Sequence, residues 1–213
     1  MPQRPQNEEE LQRQEAIGVI RASRFVRKYA RSHDPIDMTT VCAIHKETFQ
    51  DAWPEIAGVY RTENLQITDS RHLPPHHSQV PVLMVEANTA FVEKLHHLKK
   101  LDGEIMANAE VTDEISQDID LLVEAVAWIH HKITHIHPFR EGNGRTARLA
   151  ANLVLERYGL VGISIKVEKE NKNRYRQALA QIDAMEDYEP LKNIIYEGLV
   201  DRYNGVSLKY YSE

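Results

Sequence analysis

An all-α chain carrying one short β-hairpin flap is predicted by three observations. Apolar residues recur at three- and four-residue steps through most of the sequence, proline and glycine cluster in a few places, and one stretch alternates as a strand would. Over 213 residues, 42% apolar and 27% charged residues suit one globular domain with a sizeable core.

Residues 1–8 are polar, hold Pro2 and Pro5 and bury nothing, so they read as a disordered tail ahead of a single domain over 9–213. From Glu9, Val19, Ala22, Val26 and Tyr29 keep helical spacing as far as Pro35. Asp37 caps a second helix, whose buried stripe holds Val41, Ile44 and Phe49. The character changes at Trp53-Pro54 and Gly58. Tyr60 to Thr68 alternates roughly, with Leu65 and Ile67 on one side, which predicts a flap over about 58–80. Pro74-Pro75, His72, His76 and His77 punctuate its return, the histidines reading as solvated loop residues. A helix over 82–101 follows and stops at Asp102-Gly103.

The strongest periodicity lies between Thr112 and Ile136, where Ile119, Leu122, Val126, Ile129, Ile133 and Ile136 mark a core helix. Pro138, Gly142 and Gly144 interrupt it. A helix from Arg145 to Tyr158 comes next, then two more over 169–185 and 189–203.

Charge and cysteine content narrow the function. Lys and Arg number 26 against 32 Asp and Glu, a net charge of −6, so no global positive field holds nucleic acid or an anionic membrane and any phosphate site must be local. Cys42 is the single cysteine, which precludes an internal disulfide and suits a reducing compartment. No apolar run approaches the ~18 residues that span a bilayer, and MPQRPQNEEE has no apolar signal core. A cytoplasmic location is expected.

The loop between the two central helices reads His137-Pro138-Phe139-Arg140-Glu141-Gly142-Asn143-Gly144-Arg145-Thr146-Ala147-Arg148. Gly-Asn-Gly can turn successive backbone N–H groups toward one point at a helix N-terminus, where the dipole favours an anion. Lys132, Arg140, Arg145 and Arg148 against Glu141 make residues 132–148 net +3. Arg145 and Arg148 are three residues apart, so both guanidinium groups can reach one polyphosphate. Glu141 would repel that polyphosphate unless it holds a bridging Mg²⁺. An unperturbed histidine has a pKa near ~6.5, which makes His137 a candidate base toward an attacking hydroxyl. Phe139 points into the core and pins the loop.

This stretch resembles the Fic family motif H-x-F-x-(D/E)-G-N-G-R-x-x-R, with all eight specified positions filled. Uniform residue usage gives such a match a chance on the order of 10⁻⁸ per chain. Ile44-His45, Phe49, Trp53-Pro54 and residues 57–61 resemble the family's upstream segment, and Pro74-Pro75 with Met84 its far side. The resemblance implies a protein adenylyltransferase that moves AMP from ATP, with Mg²⁺, onto a Tyr, Thr or Ser hydroxyl of a protein docked at the flap. His137 would be its base, Glu141 the metal ligand, Gly142, Asn143 and Gly144 the anion hole, and Arg145 and Arg148 the phosphate clamps. Relatives of reversed chemistry carry Lys where this chain has Gly144, which favours nucleotidyl transfer here. Tyr175 sits where some relatives place an aromatic against adenine. Asn193-Ile194-Ile195-Tyr196-Glu197-Gly198 resembles the family's inhibitory pattern (S/T)-x-x-x-E-(G/N), which implies a brake in which Glu197 pairs with Arg148, although Asn193 replaces Ser or Thr. The alternatives are a silent or antitoxin-controlled nucleotide-binding module, or transfer of another nucleotide, with an antitoxin or a second copy of the chain as a further expected partner; retention of His137 and Glu141 favours an enzyme.

His45, on an apolar helix face, reads as a hydrogen-bonded structural histidine. His131 and His135 have the four-residue spacing of a zinc pair, but the glutamate of H-E-x-x-H is missing and histidines at a polar helix end are ordinary.

Overall fold

The computed structural model describes residues 4–68, 70, 72–101, 112–167 and 170–205. Among these, seven α-helices order as α1 Glu8–Ala30, α2 Met38–Phe49, α3 Val80–His96, α4 Asp113–Ile136, α5 Asn143–Arg157, α6 Glu170–Met185 and α7 Glu189–Tyr203.

Local chemistry sets the boundaries. Asn7 accepts from the Glu9 N–H and starts α1, with Glu8, Glu9 and Glu10 in the first turn against the helix dipole. Ahead of it Arg4 lies over the Trp53 ring, 3.8 Å from its centroid. Asp37 starts α2 through a capping box with Thr40, as its sequence predicts. The third helix begins two residues before the predicted start, after a 3₁₀ turn at His77–Gln79, and ends at His96 rather than Leu101. Beyond it the chain turns to the end of α5, where the Leu101 N–H donates to the Tyr158 carbonyl at 2.9 Å. The stop expected at 102–103, the helix start expected at 169 and the first three residues of the tail lie outside the described residues.

Buried α4 is the axis of the molecule. It packs against α3, α5, α6 and α7, while α1 and α2 cover the other side of α5. The core runs through Val123, Val126, Ile129 and Ile133 of α4 to Leu153, Val154 and Leu155 of α5. Gly18 lets α1 cross α2 closely, since a Cβ there would stand 1.9 Å from the Thr48 carbonyl oxygen. Arg157 fastens the far end of α5 by donating to the carbonyls of Tyr29, Ala30 and Asp34 at 2.7–3.0 Å.

The β-hairpin is a correction: no strand occurs among the described residues, and the flap is an irregular extended segment. Its carbonyls are met by side chains instead of a partner strand. Arg61 donates to the carbonyls of Glu63 and Pro75, and Arg176 donates to that of Thr68. Pro74 and Pro75 have no N–H to offer a ladder.

Two histidines are sealed in this core. Burial pushes His130 down to about 3 and His45 down to about 4, from an ordinary 6.5. Both rings are neutral in the fold, whereas the unfolded chain protonates them below about 6.5. Their contribution to stability is therefore full above that pH and falls as pH drops toward about 4. Urea unfolding at pH 5 should show roughly 2 kcal/mol less stability per histidine than at pH 7. Equal urea midpoints at the two pH values would refute this.

Candidate active site

The loop from His137 to Gly142 joins α4 to α5, and each end of it is held in an uncommon conformation. His137 ends α4 in the left-handed region, φ 51° and ψ 58°, its N–H donating to the Ile133 carbonyl. For a residue with a Cβ this costs about 1–2 kcal/mol. Gly142 precedes α5 at φ 73°, and a Cβ on it would lie 2.2 Å from the Phe49 ring. Only glycine suits both demands.

Asn143 closes the loop with its side chain. Its Oδ1 accepts from the Phe139 N–H at 2.9 Å and its Nδ2 donates to the Phe139 carbonyl at 2.8 Å, in a site that is almost wholly buried. Phe139 is fully buried and stacks on His45 with centroids 3.9 Å apart. His45 accepts from the Gly58 N–H at Nδ1, which puts its proton on Nε2, 3.0 Å from the Glu141 carbonyl. Its structural reading holds, and it joins the start of the flap to the loop.

Arg61 is the residue that sequence reasoning missed as an anchor. Only 4% exposed, it donates from Nε to the His137 carbonyl at 2.8 Å, and its backbone N–H reaches the Pro138 carbonyl at 2.9 Å. It therefore ties the strained end of α4 to both limbs of the flap. The signal available in the sequence was an arginine following four apolar or small residues, which alone says little.

His137 Nδ1 lies 3.3 Å from the Thr134 carbonyl, an acceptor only, so the proton sits on Nδ1 and Nε2 carries the lone pair. Burial lowers its pKa, which keeps the ring a free base at neutral pH. Asn143, Gly144 and Arg145 form the first turn of α5, whose backbone N–H groups have no intrahelical acceptor and collect at the positive end of the dipole. Glu141, partly exposed, has Oε1 occupied by the Gly142 N–H at 2.9 Å.

Arg145 is placed differently from a waiting phosphate clamp. It is 7% exposed, lies over the Phe49 ring and donates to Glu15 of α1 at 2.7 Å, with Glu141 3.6 Å from its other nitrogen. Arg148 is one turn on, close enough to His130 for its charge to add to burial in lowering that pKa. Tyr175 belongs to the core: its hydroxyl lies 2.8 Å from His130 Nε2, and the ring is 9% exposed. Edge-on to His130 and nearly enclosed, the ring presents little open face to adenine.

The expected pairing of Glu197 with Arg148 is replaced by one with Arg174, whose two terminal nitrogens each meet a Glu197 oxygen at 2.6 Å. The reason is the face α7 turns inward. Leu191, Ile194, Ile195, Gly198 and Leu199 are buried, which leaves Asn193 and Glu197 on the exposed side. Gly198 is small because Ile163 packs over it.

A helical fold whose central helix–loop–helix sets a histidine ahead of a helix start rich in unpaired backbone N–H groups defines the class of protein. The chain belongs to the Fic/DOC family, whose model matches residues 35–155. It is 28% identical over 174 residues to the protein adenylyltransferase Fic of Nematostella vectensis, covering 80% of this chain and 34% of that protein. A Caenorhabditis elegans Fic-1 structure superposes with a TM-score of 0.63 at 25% identity, covering 90% of this chain and 50% of that one. BepC from Bartonella tribocorum, solved with bound AMPPNP, gives a TM-score of 0.64 at 16% identity, covering 91% and 88%. The chain spans about a third or less of the length of the curated relatives it matches.

If Arg61 restrains the loop, Arg61→Ala should lower stability by about 2–4 kcal/mol, the scale of losing several bonds to a charged donor. Amide hydrogen exchange should rise selectively at 137–142. Unchanged exchange there would show that the loop holds itself.

Proposed function

We propose that this chain transfers AMP from ATP to a hydroxyl side chain of a protein target. The observation that carries the reading is His137, a half-buried imidazole with its Nδ1 proton committed to Thr134 and its Nε2 left to accept, ahead of the N–H-rich start of α5. The family relationship and relatives named as protein adenylyltransferases support it.

In this reaction the target oxygen attacks the α-phosphorus as its proton passes to His137 Nε2, and pyrophosphate leaves. The first-turn amides of α5 stabilise the charge that develops on the α-phosphate oxygens. With glycine at 144, no side chain stands over those amides. The extended flap, anchored through Arg61, lies beside His137 and offers backbone to which a target segment can add as a strand.

Mg²⁺ typically takes one or two carboxylates together with phosphate oxygens and water. Glu141 fits: Oε1 is engaged by the Gly142 N–H, while the group stays partly exposed beside the helix start. The ion would offset phosphate charge there. Glu141→Gln should abolish the divalent dependence of transfer along with most of the rate; equal activity with and without Mg²⁺ in the unmodified protein would exclude this role.

Glu15 restrains a different arginine from the Arg148 that Glu197 was expected to hold. Its carboxylate already holds Arg145, so a phosphate must displace it. Glu15→Gln should tighten ATP binding about 5- to 10-fold by calorimetry, equivalent to ~1–1.4 kcal/mol. Glu197→Gly should leave it unchanged. Equal affinities for the Glu15 variant and the unmodified chain would contradict the competition.

Labelled ATP with Mg²⁺, added to the protein and a cell lysate, tests the function directly. The unmodified chain should label protein targets or itself. His137→Ala should bind ATP normally yet label ~10²–10⁴ times more slowly. Nucleotide binding without labelling by the unmodified chain would favour a silent binding module.

A further inference from the structure

Beside the flap, on the side of α4 that faces α6, three histidines converge on one carboxylate. His131 Nε2 and His135 Nδ1, one turn apart on α4, lie 2.9 and 2.7 Å from Oδ1 of Asp183 on α6. His72, from the return limb of the flap, lies tilted against the His135 ring, with centroids 4.5 Å apart, and sets its Nδ1 3.6 Å from Oδ2 of the same carboxylate.

The tautomer of a neutral His72 is set from the other side. Its Nε2 lies 2.7 Å from the His135 carbonyl oxygen, which can only accept, so Nε2 carries the proton. In the neutral ring Nδ1 then points a lone pair at an anionic oxygen. Two lone pairs face each other there, an arrangement that a cation between them makes favourable. A backbone carbonyl holding the remote nitrogen is also the usual support of a metal-bound histidine.

We propose that His72, His135 and Asp183 form a site for a borderline divalent transition-metal ion, with zinc the best chemical match. One donor atom from each lies within 4.8 Å of the others. Bonds of ~2.0–2.1 Å to a tetrahedral ion need separations near ~3.4 Å, within reach of small rotamer changes. Two imidazole nitrogens and one carboxylate oxygen suit zinc, whereas magnesium and calcium take oxygen donors. His131 is a positioning residue: 4% exposed, it reaches Asp183 from the buried side and orients the carboxylate. The fourth position would be open to water or to a target side chain.

The site would join three separate parts of the chain. His135 precedes His137 by two residues, and His72 lies in the limb that also carries Pro75, an anchor of Arg61. A bound ion would therefore hold the flap against α4 without touching nucleotide.

The test is titration of untagged, chelator-treated, nucleotide-free protein with Co²⁺, whose visible absorption reports low-symmetry four-coordinate sites, followed by displacement with Zn²⁺. One equivalent should bind with such a spectrum and be displaced by zinc. His72→Ala and Asp183→Asn, each confirmed folded by circular dichroism, should bind at least ~10-fold more weakly. His76→Ala, a flap histidine outside the cluster, should bind normally. Absence of a one-equivalent Co²⁺ spectrum in the unmodified chain would overturn the proposal and leave a hydrogen-bonded histidine–carboxylate network. So would wild-type affinity in both the His72 and Asp183 variants, which would place the ion on other histidines. Should either variant fail to fold, His135→Gln replaces it, with the same loss expected.

Discussion

A histidine held in a left-handed conformation at the end of a buried helix is the constraint around which the molecule is arranged. Nothing local favours that conformation, so surrounding contacts must outweigh its cost. Arg61 holds the His137 carbonyl, Thr134 takes the ring proton, and Asn143 closes the loop behind it. Each of these holds a backbone or ring atom in place and leaves Nε2 uncommitted. The strained backbone therefore comes with a fixed orientation of the imidazole.

Electrostatics at the same loop follow a different plan. The positive end of α5 has no acid in its first turn, and the balancing carboxylates come from elsewhere, Glu141 just before the helix and Glu15 from α1. Arg145 is too buried to remain uncompensated, and a borrowed partner on another helix balances its charge.

Most helices and the loop motif were legible in the sequence because they depend on local chemistry. The Asp37 cap and the α4 apolar repeat report their elements directly, and Gly-Asn-Gly identifies a turn into a helix. The flap failed as a hairpin because alternation over a few residues cannot say whether a partner strand or an arginine side chain will meet the carbonyls. Glu197 and Tyr175 failed for a related reason. Position in a motif-like string carries no information on which face of a helix turns inward, and that face was set by Ile163 over Gly198 and by His130 beneath Tyr175. Glu15 and Asp183 left no signal, since an acid on an amphipathic helix is ordinary until the fold supplies its cation or its histidines.

The two ends of α5 are fastened to the same neighbour. Arg145 at its start grips α1 through Glu15, and Arg157 at its finish grips the last turn of α1 and the link beyond through three carbonyls. Two rivets at opposite ends forbid sliding. Any rearrangement that frees Arg145 must pivot α1 about its Arg157 end, which makes the N-terminal half of α1 the moving arm and the close crossing at Gly18 the stop that limits its swing.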